Sequence, residues 1–196
     1  MKKWLIPLVI VALLAFGIFK WGVGVNNEII EQEGLAKAQW ANVESSYQRR
    51  ADLIPNLVAT VKGYAAHEKE TLEGVIKARS EATKTTIDVG NLTPEKMAAF
   101  QQAQQGLSGA LSRLLVTVER YPELKADQSF LELQSQLEGT ENRINVERNR
   151  FNTIAGAYNI FIAKFPTNIV ANYIGKEGMS LFKSAAGSEN APKVEF

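Results

Sequence analysis

The chain opens on an apolar run long enough to cross a bilayer, and nothing else in the sequence constrains its architecture as tightly. Residues 4–19 read WLIPLVIVALLAFGIF, and residues 21–25 extend the run past a single Lys20. Together they supply about 20 residues, enough for a hydrocarbon core ~30 Å thick. Trp4 and Trp21 stand at the two ends, where aromatic side chains settle at membrane interfaces, and Lys20 is placed to snorkel to the headgroups. A cleaved signal peptide is the rival reading. It requires a shorter apolar core and a small-x-small site, which only Gly22 and Gly24 approach, so residues 1–25 read as a retained single-pass transmembrane anchor. Lys2 and Lys3 precede the span while Glu28, Glu31 and Glu33 follow it, which favours a cytoplasmic N-terminus and an extracytoplasmic body. Lys20, on the far flank, counts in the opposite direction.

Beyond the anchor 19 bases face 21 acids, a near-neutral balance that argues against nucleic acid as a partner. The absence of cysteine excludes disulfides, thiolate nucleophiles and sulfur-ligated metals, so the fold rests on packing alone.

That packing is written in period 3.6. From Ala36 through Trp40, Val43, Tyr47, Ala51, Ile54, Val58, Val61, Ala65 and Leu72 to Val75 or Ile76, apolar residues recur on the three- and four-residue spacing of one helix face, predicting one long helix kinked at Pro55. Its register is the same on both sides of the proline, which favours a continuous helix from about residue 26 to about residue 83 over a reversal at Pro55. Residues 90–93 mark a loop, and Thr93 followed by Pro94 reads as an N-cap with proline in the first turn. A second helix follows, with Met97, Phe100, Gln104, Leu107, Leu111, Leu114 and Val118 on one stripe, ending at Pro122. Asp127 caps a third, whose stripe runs from Phe130 through Ile144, Phe151 and Tyr158 to Phe165 and stops at Pro166. Residues 168–182 are expected to form a short amphipathic fourth helix. The expected architecture is all-α: an N-terminal transmembrane helix, an antiparallel bundle of three long helices plus a short C-terminal helix over residues 26–184, and a disordered tail over residues 185–196.

Three blocks of this bundle resemble the LemA family of bacterial membrane proteins. They are RRADLIPNLVATVKGYAAHEKETLEGVIKAR at residues 49–79, YPELKADQSFLELQSQLEGTENRI at 121–144, and RNRFNTIAGAYNIFIAKFPTNIVA at 148–171. The resemblance implies an N-terminal span in the bacterial cell membrane and a helical bundle, with no catalytic activity or cofactor to carry over.

Read for chemistry, the residues offer little. His67 and Glu68 begin an H-E-x-x pattern on a helix, but a zinc site needs a second histidine at position 71, which is threonine, and His67 is the sole histidine. No metal and no cofactor are expected. Arg49, Arg50 and Asp52 precede the proline of the first helix, while Glu141, Arg143 and Arg148 lie in the charged middle of the third. If those helices are neighbours, the six form a buried polar layer that sets register; the functional alternative is a carboxylate site for a sensed or hydrolysed ligand using Arg49, Asp52, Glu141 and Arg143. Asn142, Asn145, Asn149, Asn152 and Asn159 climb one flank of the third helix, either as a solvated edge or as a contact face. A first helix longer than its partners leaves Ile29, Ile30, Leu35 and Trp40 facing water, an uncovered stripe that invites homo-oligomerisation. The expected function is a non-enzymatic, membrane-anchored scaffold or adaptor of the bacterial envelope that binds itself or other envelope proteins.

Overall fold

The computed structural model describes residues 5–85, 87, 89 and 92–183. Trp4, Lys2, Lys3 and the expected tail at 185–196 lie outside them. The described residues form an all-α bundle in the order α1 (Leu5–Tyr64), α2 (Lys69–Lys84), α3 (Pro94–Val118), α4 (Pro122–Lys125), α5 (Gln128–Ala163) and α6 (Thr167–Tyr173).

The first helix is continuous through Pro55 but does not reach residue 83. It ends at Tyr64, the chain turns over residues 65–68, and α2 runs back alongside α1. Periodicity cannot see this break, because the stripes on its two sides share one register. Reversal buries Leu72, Val75 and Ala82, which a straight helix would leave in water. Glu68 holds the turn by accepting from Tyr121 Oη at 2.8 Å and Arg120 Nη2 at 3.0 Å. Proline at 55 has no N–H, so the carbonyl of Ala51 lacks its usual partner one turn later. Arg79 of α2 donates its Nε to that oxygen at 2.7 Å, so the defect in α1 becomes the docking point of α2.

Shortening α1 equalises the long helices. Its portion beyond residue 25 has ~39 residues, ~58 Å at 1.5 Å per residue, and the 36-residue α5 spans ~54 Å. They lie antiparallel in close register. Tyr64 Oη donates to Asp127 (2.9 Å) at the far end, Arg50 to Glu141 (2.7 Å) in the middle, Gln39 to Glu147 (2.8 Å) lower down, and Lys176, just past α6, pairs with Glu33. Both predicted caps form: Thr93 accepts from the backbone of Lys96, and Asp127 from that of Phe130. Hydrogen bonds from Phe130 and Tyr64 hold the Asp127 carboxyl below its ordinary range.

The core divides in two. Away from the anchor, α1, α2, α3 and α5 enclose Ile54, Leu57, Leu107, Leu114, Leu124 and Phe130. Nearer the anchor, α1, α5, α6 and the first turns of α3 close on Ile29, Trp40, Phe100, Phe151, Tyr158 and Phe182. The indole of Trp40 stacks on Phe182 (5.5 Å between centroids, 13° between planes) and meets the ring of Phe151 edge-on at 5.1 Å.

The expected fourth helix over 168–182 is cut short. Gly175 adopts φ +68°, the left-handed conformation that ends helices, and Lys176 N–H bonds back to Ala171 O at 2.9 Å. Residues 176–183 then run without helix as an internal strap that carries Met179 and Phe182 into the core.

Residues 5–21 stand apart from this core, against which Val25 is already packed. The most apolar stretch of α1 has none of its residues buried, and Leu8, Leu13, Phe16 and Phe19 are all exposed. One N-terminal helix is thus long and apolar enough to cross a membrane, which suggests membrane anchoring. Lys20 and Trp21, expected at its interfacial end, are both exposed there.

Candidate functional site

The junction between the two core regions is polar. Arg50, only 3% exposed, reaches from α1 to two other helices: Nη1 donates to Glu141 Oε2 of α5 (2.7 Å) and Ser108 Oγ of α3 (3.1 Å), and Nη2 to Gln104 Oε1 (2.7 Å). Gln104 donates in turn to Ala82 O at the end of α2 (3.1 Å), so Arg50 and Gln104 together tie four helices at a single level. The guanidinium also lies 5.2 Å from the centre of the Tyr47 ring, whose hydroxyl burial pushes to a higher pKa. A slot of about 160 Å³ opens beside this layer, lined by Arg50, Glu141 and Arg148 among others.

Of the six residues expected in the layer, the structure brings Arg50 and Glu141 together and leaves the rest outside the bonded set. Arg49 and Asp52 are exposed, and Asp52 accepts from Gln48 one turn earlier at 2.7 Å. Arg143 is exposed and approaches only Glu147, at 3.7 Å. Arg148, half-buried, covers the Phe182 ring at 4.7 Å and donates to Lys183 O at 3.3 Å. The grouping of Arg49, Asp52, Glu141 and Arg143 is therefore not assembled. Helix geometry explains this: 49 and 52 project from the outward side of α1, whereas 50 falls on the inward stripe with Tyr47 and Ile54.

Sequence reasoning missed Gln39 and gave no role to Gln104, Ser108 or Arg79. Gln39 is buried and donates to the buried Glu147 carboxylate, a further polar tie between α1 and α5. The available signal was the position of both glutamines on apolar stripes, where a polar side chain requires a partner.

The asparagine ladder divides as well. Asn142, Asn145 and Asn149 are exposed, whereas Asn152 and Asn159 face the strap. Asn152 donates to Phe182 O (2.9 Å) and accepts from Phe182 N (2.8 Å); Asn159 does the same with Met179 (2.8 and 2.7 Å). Seven residues apart on α5, the two amides hold an extended segment by its backbone as a neighbouring strand would. The predicted open stripe is corrected too. Ile29 and Trp40 are fully buried, because α5, α6 and the strap cover that side, and only Ile30 and Leu35 remain exposed. His67 is exposed in the turn, not on a helix, and the described residues contain no cluster of His, Asp or Glu suited to a metal.

Residues 39–196 match the profile of the LemA family, a span that holds the polar layer, the asparagine clasp and the strap. The chain belongs to the LemA family. Among its relatives, protein LemA of Metamycoplasma hominis is 26% identical over 174 residues, covering 88% of this chain and 76% of that protein. Magnetosome protein MamQ of Magnetospirillum gryphiswaldense is 30% identical over 164 residues, and magnetosome protein MamQ 2 of Paramagnetospirillum magneticum 26% over 174. This LemA-family chain matches 60% and 64% of the lengths of those two proteins.

Proposed function

We propose that this chain is a non-enzymatic scaffold of the bacterial cell membrane, anchored by α1, with its bundle on the extracytoplasmic side and its outward surfaces engaged by further copies of itself or by other envelope proteins. The observation that carries the reading is the continuity of α1: the apolar segment and the helix at the centre of the bundle are one uninterrupted element. A bundle joined to its span this way cannot swing as it would on a loop, and it presents fixed faces at fixed heights above the membrane. The names of two relatives, magnetosome proteins, refer to a cellular structure rather than to a reaction, which is consistent with a role in assembly.

Self-association is assigned to the outward side of α1. Ile30 and Leu35 mark its two edges, ~140° apart around the axis, with exposed Gly34 and Ala38 between them allowing a second helix to approach closely. The exposed Asn142, Asn145 and Asn149 of α5 offer a polar face for other partners. Single cysteines at positions 30 and 35 of this cysteine-free chain test the first assignment. Disulfide dimers in native membranes support it, and monomers at both positions count against it. Asp52→Ala and Glu141→Ala address the catalytic alternative: a variant that folds normally yet loses cellular function would oppose the scaffold reading. An alkaline phosphatase fused after Phe196 is expected to be active, and an inactive fusion reverses the orientation.

A further inference from the structure

The end of the bundle nearest the anchor carries an apolar corner that the core does not use. Phe165, Ile169 and Tyr173 are 80%, 57% and 91% exposed and follow one another at four-residue steps through the turn into α6. The opposite side of α6 is occupied, with Thr167 and Ala171 buried and Val170 and Ile174 packed on the core, so these three side chains point away from the protein.

Their height follows from the register of α1 and α5. Glu33 and Tyr158 line the same cleft, and from there the antiparallel helices advance at equal rates, so Ala163 lies level with about residue 28 of α1. Phe165 lies beyond it. Lys176, after the Gly175 turn, pairs with Glu33, so the chain descends along α5, turns through α6 and climbs back. Among the described residues the corner is the lowest part of the bundle, ~10 Å along α1 from Trp21. A headgroup layer adds ~5–8 Å to each side of the hydrocarbon core. Aromatic side chains with a polar tip or a neighbouring base favour that layer, and Tyr173 and Phe165, next to the exposed Lys164, have this character.

We propose that the α5–α6 corner, through Phe165, Ile169 and Tyr173, is seated in the headgroup–acyl boundary of the bilayer that α1 enters, as a second membrane contact that fixes the tilt of the bundle. The inference rests on α1 being a span. The lipid interface is the occupant because the patch is continuous with the anchor at the same height.

The test uses the full chain in vesicles of phosphatidylcholine and phosphatidylglycerol, with an environment-sensitive fluorophore on one introduced cysteine at a time: Val11→Cys in the anchor, Ile169→Cys or Tyr173→Cys at the corner, and Val116→Cys at an exposed site far from the anchor. Circular dichroism verifies that each folds. The expected result is blue-shifted emission at 169 and 173, quenched most by lipids spin-labelled near the headgroup. Position 11 should be quenched most by deep labels, and position 116 by neither. Water-like emission at 169 and 173 with position 11 embedded overturns the corner contact alone. Failure at position 11 as well overturns the anchor and with it this inference. A blue shift at 169 without lipid quenching, accompanied by energy transfer between labelled copies, assigns the patch to self-association and overturns the lipid contact.

Discussion

Replacing Arg79 by leucine removes the only donor shown for the Ala51 carbonyl, and the loss should depend on the proline that freed it. Ala51 is 2% exposed, so without Arg79 its oxygen is an orphaned buried acceptor. Such a group costs about 1–3 kcal/mol, and the lost bond is charge-assisted, so a loss of about 2 kcal/mol is expected. For a chain of this length each kcal/mol moves the melting temperature by about 2–4 °C, giving a fall of ~4–8 °C. In a Pro55→Ala background the restored N–H of residue 55 reaches Ala51 O as in any helix, and the same Arg79→Leu change should cost less than about 1 kcal/mol. The coupling, about 1–2 kcal/mol, is read from melting curves of the two single variants, the double variant and the parent in detergent micelles, followed by circular dichroism. Equal costs in the two backgrounds would refute the claim that α2 docks on the gap in the α1 ladder.

Arg50→Met should lower stability by about 1–3 kcal/mol in thermal melts, because the buried Gln104 Oε1 loses its donor; an unchanged melting temperature would mean that the polar layer aligns the helices without stabilising them. Trp40→Phe is expected to cost under about 1.5 kcal/mol, since the buried indole N–H has no partner to lose among the described residues, whereas Trp40→Ala should cost about 3–5 kcal/mol in denaturant titrations. Asn152→Ala or Asn159→Ala removes two backbone bonds to the strap and should speed tryptic cleavage at Lys176 and Lys183 on the order of thirtyfold; unchanged rates would mean that the strap is held by its side chains alone. Burial raises the pKa of Glu33, but Lys176 and Lys37 outweigh it and leave the carboxyl below its ordinary 4.5. Its contribution is therefore complete above that value and lost as pH falls through the lowered one, so Glu33→Gln should flatten the dependence of melting temperature on pH below 4.5.

The helical class, the apolar segment, the caps at Thr93 and Asp127 and the inward stripes were all legible in the order of residues, because each depends on spacing along one helix or on chemistry within one turn. Arg50 and Glu141 were legible as a pair for the same reason: each falls on or beside an apolar stripe, where a charge must find a partner. The sequence alone did not reveal what depends on which helix lies beside which. The reversal at 65–68 is invisible to periodicity because both sides keep one register, and it is selected by the burial of Leu72 and Val75 against α1 and α3. Asp52 and Arg143 look equivalent to their neighbours until the facing helix is placed. Asn152 and Asn159 differ from Asn145 and Asn149 only because the strap lies against them, and the strap exists because Gly175 ends α6 early. Arg79 found its role last, since an unpaired carbonyl four residues before a proline is a local fact, but the donor that answers it arrives from another helix.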